Sequence, residues 1–359
     1  KIDLTTKRFF DLIIQILTMV FALDNLGNTC YLNTSIQCLM SSSILVKSIQ
    51  ESPSDKPLVS LLKTFIAYVL DEDQKNINKT LPKLIVHIQR SIKDRMKLTQ
   101  QNDMCEFLLL FFDLLNEEMK SVLPIDHFKD MLAKQYPIST DSNTLQKFNQ
   151  ICIKKWATHF HKEYHELNEQ TQSLCVSQIK CGCSKTHHNY EFNNMLQLDI
   201  DDIGDLDNSM KNYVKSVYFN DSKDENNIEW TCDVCKKQQR SKKVISFWKF
   251  PNVLILVLKR FVMNNRGRLT KLTHEVQFPR EMDVSKYVLN DSMNTKYKLR
   301  SIGCHQGRLN YGHYYTILKG DHDRDHDWII ADDETLERVN ELNRNAYKDA
   351  YVLVYEISQ

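Results

Sequence analysis

The sequence predicts an α+β fold, and three observations carry that prediction. Apolar residues recur at helical spacing through the N-terminal third, as in Leu58, Leu61, Leu62, Phe65, Val69 and Leu70. Further along, the texture turns to alternation and short apolar runs, as in residues 195–200 and 252–258. The two textures are segregated along the chain, whereas a βαβ array would interleave them. With 359 residues, 42% of them apolar and 26% charged, the chain can build one large core or two ordinary ones.

Taken in order, residues 9–23 are rich in large apolar side chains, but Asp11 and Gln15 interrupt them. The stretch is shorter than the roughly 20 residues of a membrane span, and no small-residue cleavage site precedes Asn25. It predicts an amphipathic helix packed on the domain. The chain opens on Lys1 rather than Met, which fits a piece of a longer protein. Residues 32–40 place Leu32, Ile36, Leu39 and Met40 on one helical face. Residues 41–95 read as polar-faced helices, and residues 101–108 run into an apolar helix through Leu115. Residues 120–172 are charged and again mostly helical in pattern. Strands are predicted at 195–200, 243–248, 252–258, 297–304, 313–319, 328–332 and 350–355. Residues 204–224 are polar and read as a mobile, linker-like loop.

The formal charge of +1 gives no global case for nucleic acid or an anionic membrane as partner. Ten cysteines in a chain this long are too sparse for a disulfide-stapled module, which favours a reducing compartment, cytoplasmic or nuclear.

Cys30 draws attention by position. Asn28 and Thr29 are good N-cap types, so Cys30 falls at the first helical turn, facing unpaired N–H groups and the positive end of the helix dipole. Both favour a thiolate. A buried core cysteine is the other reading, and local sequence leaves the two level. A thiolate enzyme needs a histidine to move its proton and a group to hold that ring. Among twelve histidines, His313 has the best context, preceded by Gly312 and leading into a strand. Asp332 and Asp333 end the next strand, and an antiparallel pair joined by a short loop sets Asp332 beside His313. Structural roles for such residues remain the competing reading.

The stretch Asn25-Leu26-Gly27-Asn28-Thr29-Cys30-Tyr31-Leu32-Asn33 resembles the cysteine box of the ubiquitin-specific proteases, papain-like deubiquitinating enzymes. Gly312-His313-Tyr314 with Asp332-Asp333 resembles their histidine box. Gln101-Asn102-Asp103-Met104-Cys105-Glu106-Phe107 resembles the glutamine-rich box, and residues 251–261 and 350–355 resemble two of the family's strands. These blocks occur in the family's order over residues 22–357. The sequence departs from the pattern at Ala22, where a glycine usually opens the cysteine box, and at Asn102, where a second glutamine is common. It also lacks the aromatic–glycine pattern expected over residues 166–177.

The resemblance implies one catalytic domain over residues 1–359, built like a hand. A mostly helical part with the thumb covers about 1–170, β fingers with a zinc site 171–250, and a β palm 251–359. Ubiquitin is the implied partner, its Gly-Gly tail threaded between thumb and palm, with no nucleic acid or membrane involved and the enzyme acting as a monomer. Cys30 is then the nucleophile, His313 the general base and acid, Asp332 its orienter and Asn25 an oxyanion donor, with Asp333 as runner-up orienter. Substrate contacts are expected at His305, Gly312, Asp103, Glu106 and Asp333; Gly312 leaves room for a backbone to pass. Asp103 and Glu106 also fit a plain helix-capping role.

Cys232-Asp233-Val234-Cys235 has a spacing at which both thiolates reach one Zn²⁺, and its partner pair is Cys181-Gly182-Cys183. The family's first pair usually has two intervening residues, so His187 or His188 stands by as a ligand if one thiolate falls short. A structural zinc on Cys181, Cys183, Cys232 and Cys235 is expected. Two other functions remain open: the same chemistry on a ubiquitin-like modifier, and a non-catalytic ubiquitin-binding scaffold.

Overall fold

The computed structural model describes residues 19–135, 137, 143–201, 204–221, 228–264, 266–289, 294–308, 311–320 and 327–358. The helices are α1 (Cys30–Met40), α2 (Ser43–Gln50), α3 (Pro57–Leu70), α4 (Gln74–Ile92), α5 (Met104–Met119), α6 (Ile125–Gln135), α7 (Asn143–Phe160), α8 (Glu166–Thr171), α9 (Leu206–Val214) and α10 (Arg344–Asp349). The strands are β1 (Ser173–Lys180), β2 (Thr186–Asn193), β3 (Met195–Leu198), β4 (Val217–Phe219), β5 (Ser241–Lys249), β6 (Val253–Leu258) and β7 (Phe261–Met263). They continue with β8 (Leu269–Lys271), β9 (Glu281–Asp283), β10 (Lys296–Arg308), β11 (Tyr311–Lys319), β12 (Trp328–Asp332), β13 (Thr335–Val339) and β14 (Ala350–Ile357).

Helices and strands segregate as the sequence predicts. The larger sheet runs β13-β12-β11-β10-β14-β6-β3 with β9 added on β10, and the smaller one runs β2-β1-β5-β4. Neighbours are antiparallel except β3 beside β6. β7 and β8 form a separate hairpin. No helix among the described residues is long and apolar enough to cross a membrane.

Two expectations change. Residues 9–18 of the predicted N-terminal helix lie outside the described residues, and 19–23 are irregular chain whose Met19, Phe21 and Leu23 are buried. Phe21 meets Phe65 of α3 edge-on at 5.6 Å, so this segment packs without being helical. Residues 204–221 of the predicted loop hold α9 and β4; residues 222–224 lie outside the described residues. The Asp205 carboxylate caps α9 by accepting from the Asp207 N–H, while Leu206 and Met210 supply one buried turn-spaced face. Tyr213 and Val214 pack beside them, Tyr213 stacked on Phe247 at 6.0 Å, but these apolar residues are scattered in a polar stretch.

α1 is the centre of the molecule. All eleven of its residues are buried, between the other helices and the palm-side strands β10 and β11. Four of them are polar, and buried polar groups need partners. Gln37 donates to the Phe21 carbonyl at 3.0 Å and accepts from Thr316 of β11 at 2.9 Å. The Ser35 hydroxyl bonds the Tyr31 carbonyl at 2.7 Å. At the far end, the Glu356 carboxylate of β14 accepts from Ser42 Oγ at 2.5 Å, Ser43 Oγ at 3.0 Å and the Ile44 N–H at 3.3 Å. A negative charge there suits the N-terminus of α2, so the last strand clamps the helical layer to the sheet.

Candidate active site

The loop before α1 explains how Cys30 is presented. Gly27 (φ 95°) and Asn28 (φ 57°) both take left-handed backbone, turning the chain sharply into the helix. Thr29 occupies the N-cap position without capping: its hydroxyl turns back to accept from the Leu26 N–H at 3.0 Å. The first-turn N–H groups of α1 thus keep no side-chain cap, and no acidic residue sits among them. Cys30, the first helical residue, meets that positive end while being only 3% exposed.

β11 brings His313 to the sulfur. Its Nε2 bonds Asp332 Oδ1 at 2.5 Å, which leaves Nδ1 for the hydrogen bond it shares with Cys30. The imidazole pKa is raised to about 9, first by the Cys30 bond, then by Asp332, against the opposing effect of burial. Register supplies Asp332: β11 and β12 pair from Thr316↔Ala331 to Lys319↔Trp328, so the end of β12 lies level with His313.

Asp333 has a different place from its neighbour. It takes φ 47°, and its side chain is 13% exposed, directed at the nucleophile loop. Oδ2 accepts from Asn25 Nδ2 at 2.8 Å and Oδ1 from Asn33 Nδ2 at 2.8 Å, while its carbonyl accepts from the Leu23 N–H at 2.9 Å. It stands 4.0 Å from His313 Nε2 and does not line the cleft described next. Asn25 is therefore fixed at both ends, its Oδ1 accepting from the Gly27 and Thr29 N–H groups at 3.1 and 3.2 Å. An amide nitrogen carries two hydrogens, so one N–H of Asn25 remains for a developing oxyanion.

A cleft of about 520 Å³ opens beside Cys30, walled by Tyr31, Gln101, Asn102 and Asp103 on one side and by Phe261, Leu269, His305, Gly312, Tyr314 and Tyr351 on the other. Gln101 Nε2 reaches across it to the Gly312 carbonyl at 2.8 Å. Asp103 does two things: it caps α5 through the Glu106 N–H at 3.0 Å, and it accepts from Tyr351 Oη at 2.7 Å. Glu106 lines an adjoining cavity of about 280 Å³ with Leu109, Gln197 and Lys259. Leu109 and Gln197 also line a third cavity, of about 370 Å³, that reaches Asp113, His159 and Phe192. Shared walls join the three into one trough along the open side of α5, running from the nucleophile toward the smaller sheet.

His305 is buried beneath Gly312, its ring 5.3 Å from Phe261 and 4.6 Å from Tyr314. Burial, with Lys271 and His313 nearby, lowers its pKa to about 3 and keeps the ring neutral. A Cβ on Gly312 would fall 1.9 Å from His305 Nε2. The sequence marked His305 and Gly312 but gave no sign of Gln101 as a bridge, Asn33 as a tether, or Tyr351 as a wall. Their partners lie some 200 to 300 residues away in the chain.

The four expected metal ligands also meet. The sulfurs of Cys181, Cys183, Cys232 and Cys235 all lie within 4.8 Å of one another, with Cys181–Cys235 and Cys183–Cys232 at 3.9 Å. A tetrahedral zinc with Zn–S bonds of about 2.3 Å needs sulfurs about 3.8 Å apart, so the set fits the ion despite the one-residue spacing of the first pair. Left-handed backbone at Ser184 (φ 68°) and Lys236 (φ 58°) folds each pair into a tight knuckle.

A family model described as "Ubiquitin carboxyl-terminal hydrolase" matches residues 21–355. The chain is 26% identical over 365 residues to the "Probable ubiquitin carboxyl-terminal hydrolase 4" of Schizosaccharomyces pombe, covering 94% of this chain and 58% of that protein. It is 24% identical to the "Ubiquitin carboxyl-terminal hydrolase Usp2" of Drosophila melanogaster, covering 93% and 34%. With the "Ubiquitin carboxyl-terminal hydrolase 4" of Arabidopsis thaliana it shares 25% identity over 89% of this chain and 86% of that one. The chain thus spans only about half, or a third, of two of these relatives. Among solved structures it is similar to Ubp8 in the SAGA DUB module with Sgf11, Sus1 and Sgf73 bound to monoubiquitin, at TM-score 0.72 and 18% identity, covering 99% of this chain and 74% of that one. A second structure of that module, bound to ubiquitin aldehyde, gives TM-score 0.69 and 20% identity, covering 96% and 71%. At these identities the likeness establishes the fold.

Proposed function

We infer that this chain, which belongs to the ubiquitin carboxyl-terminal hydrolase family, is a thiol-dependent deubiquitinase that cleaves the peptide or isopeptide bond after ubiquitin's C-terminal glycine. One observation carries the reading: a Cys30–His313–Asp332 relay opens on a cleft of about 520 Å³ whose walls continue into two adjoining cavities along α5. Asp103, Glu106 and Asp113 along that trough favour a tail carrying positive charge. A pure ubiquitin-binding scaffold has no use for the relay.

The chemistry follows from the geometry. The Cys30 thiolate attacks the terminal carbonyl while His313, as imidazolium, holds the proton on Nδ1. The negative charge that develops on oxygen is met by the Asn25 N–H and the free backbone N–H of Cys30; one such donor contributes about 10²–10³-fold in rate. His313 then gives its proton to the departing amine, leaving a thioester on Cys30. The now neutral ring takes a proton from water, which attacks the thioester and releases the carboxylate and the sulfur. Asp332 keeps Nε2–H occupied throughout, so only Nδ1 exchanges protons.

The zinc that fits the cysteine cluster would be structural, tying the β1–β2 turn to the segment before β5 and leaving no open coordination position. None of the ten cysteines is paired in a disulfide, which fits a reducing compartment, the cytoplasm or the nucleus.

The deciding experiment is reaction with ubiquitin bearing a C-terminal electrophile. A single adduct that disappears in Cys30→Ala is expected. Labelling that survives in Cys30→Ala, or that goes only to a ubiquitin-like modifier, overturns the assignment. The pH profile supplies a separate prediction. His313 stays imidazolium below its raised pKa and loses that proton as pH rises through it, so kcat/KM should fall on an alkaline limb near pH 9. In Asp332→Asn that limb should move to lower pH, because one of the contributions raising the imidazole pKa is gone. An unmoved limb would separate His313 from it.

A further inference from the structure

His187 stands at the metal cluster without belonging to its ligand set. Its Nε2 lies 3.2 Å from Cys232 Sγ, hydrogen-bond distance for nitrogen to sulfur. The four sulfurs come mutually within 4.8 Å, and the His187 nitrogen does not join that group, so it is placed to touch one ligand and not a common centre. β2 fixes the residue opposite Ile179 of β1, and the ring meets Trp230 edge-on at 5.2 Å, which limits its swing toward the centre. His188 points elsewhere, exposed and near Phe148 and Tyr190.

Burial explains why one sulfur needs this neighbour. Four thiolates around Zn²⁺ carry a net charge of −2, which must be solvated or hydrogen-bonded. Cys183 and Cys235 are partly exposed and have water; Cys181 and Cys232 are buried, at 3% and 0%. The Cys183 backbone N–H, joined by the Ser241 hydroxyl, bonds the Cys181 sulfur. For Cys232 the donors are the backbone N–H groups of Cys235 and Val234, together with His187. His187 is the one ring among them.

We propose that His187 is an outer-sphere hydrogen-bond donor to the Cys232 thiolate, and that this bond lets a C-x-C/C-x₂-C set hold zinc tightly. It orients Sγ and spreads its charge without taking a coordination position. The inference rests on the zinc reading given under the proposed function.

The test uses the full chain and two ions. Zinc affinity is measured by competition with a chromophoric chelator, and His187→Ala is expected to weaken it 10- to 100-fold, the usual effect of losing such a partner. His187→Gln, which keeps an N–H donor, should recover part of the loss. Cobalt substitution reads the ligands directly. Wild type and His187→Ala should both show the visible absorption of four sulfurs, with the thiolate-to-cobalt charge-transfer band at lower energy in the variant. Unchanged zinc affinity in His187→Ala overturns the proposal while leaving the zinc reading intact. So does a wild-type cobalt spectrum of three sulfurs and one nitrogen, which would make His187 a ligand. A wild-type protein that binds no zinc overturns both.

Discussion

His313→Ala is expected to lower kcat for ubiquitin-conjugate cleavage by about 10⁴-fold, the upper range for a group acting as both general base and general acid. The ring is the one link between Cys30 and Asp332, so its loss removes the proton acceptor and the charge that sustains the thiolate. Binding of the tail, set by the trough walls, should survive in a Cys30→Ala background. Asp333→Ala should behave differently. Its carboxylate touches Asn25 and Asn33, so removing it frees the oxyanion donor and costs about 10²-fold in kcat, while alkylation of Cys30 by a small electrophile proceeds at the wild-type rate. Measuring kcat beside the alkylation rate separates the two carboxylates. Equal loss of both readouts in Asp333→Ala would show that Asp333 acts on the relay itself.

Gly312→Ala is the second large effect. The new Cβ would lie 1.9 Å from His305 Nε2 and 2.5 Å from Cε1, distances no pair of unbonded atoms keeps. His305 has little room to yield, being buried against Phe261 and Tyr314. The strand must move instead, and the next residue on it is His313. A shift of about 1 Å at a reacting group costs about 10²-fold, so kcat/KM should fall by that order. Removing the obstacle in Gly312→Ala with His305→Ala should restore a good part of it. Activity of Gly312→Ala within threefold of wild type would mean that strand, ring or both are softer than the packing implies.

Much of this site was legible before any coordinates, and the limits of that reading have physical causes. Cys30 could be placed at a helix start because caps and apolar spacing are local signals. His313 and Asp332 followed because two adjacent strands carry them. Asp333, Asn25 and Asn33 illustrate what stays hidden: a left-handed turn at Asp333 points its carboxylate inward, and nothing in an Asp-Asp pair announces that φ. The Gln101–Gly312 bridge depends on how α5 sits against the palm. α9 reads as loop because its apolar residues are scattered among polar ones, and β13 leaves no trace because its side chains are mostly exposed. The grouping of Cys181, Cys183, Cys232 and Cys235 was legible from the C-x₂-C spacing together with the family resemblance, whereas the 3.2 Å contact of His187 with Cys232 was not.

The placement of β14 has a consequence for how the enzyme comes into being. This strand pairs with β10 on one side and β6 on the other, and its Glu356 caps α2. During synthesis Cys30 leaves the ribosome first; Ala350–Ile357 follow on the order of tens of seconds later at roughly 5–20 residues per second. Until they arrive, the larger sheet has a gap between β10 and β6, and the start of α2 lacks the Glu356 carboxylate. The sheet that carries His313 and Asp332 is thus completed by a strand made some 320 residues after the nucleophile.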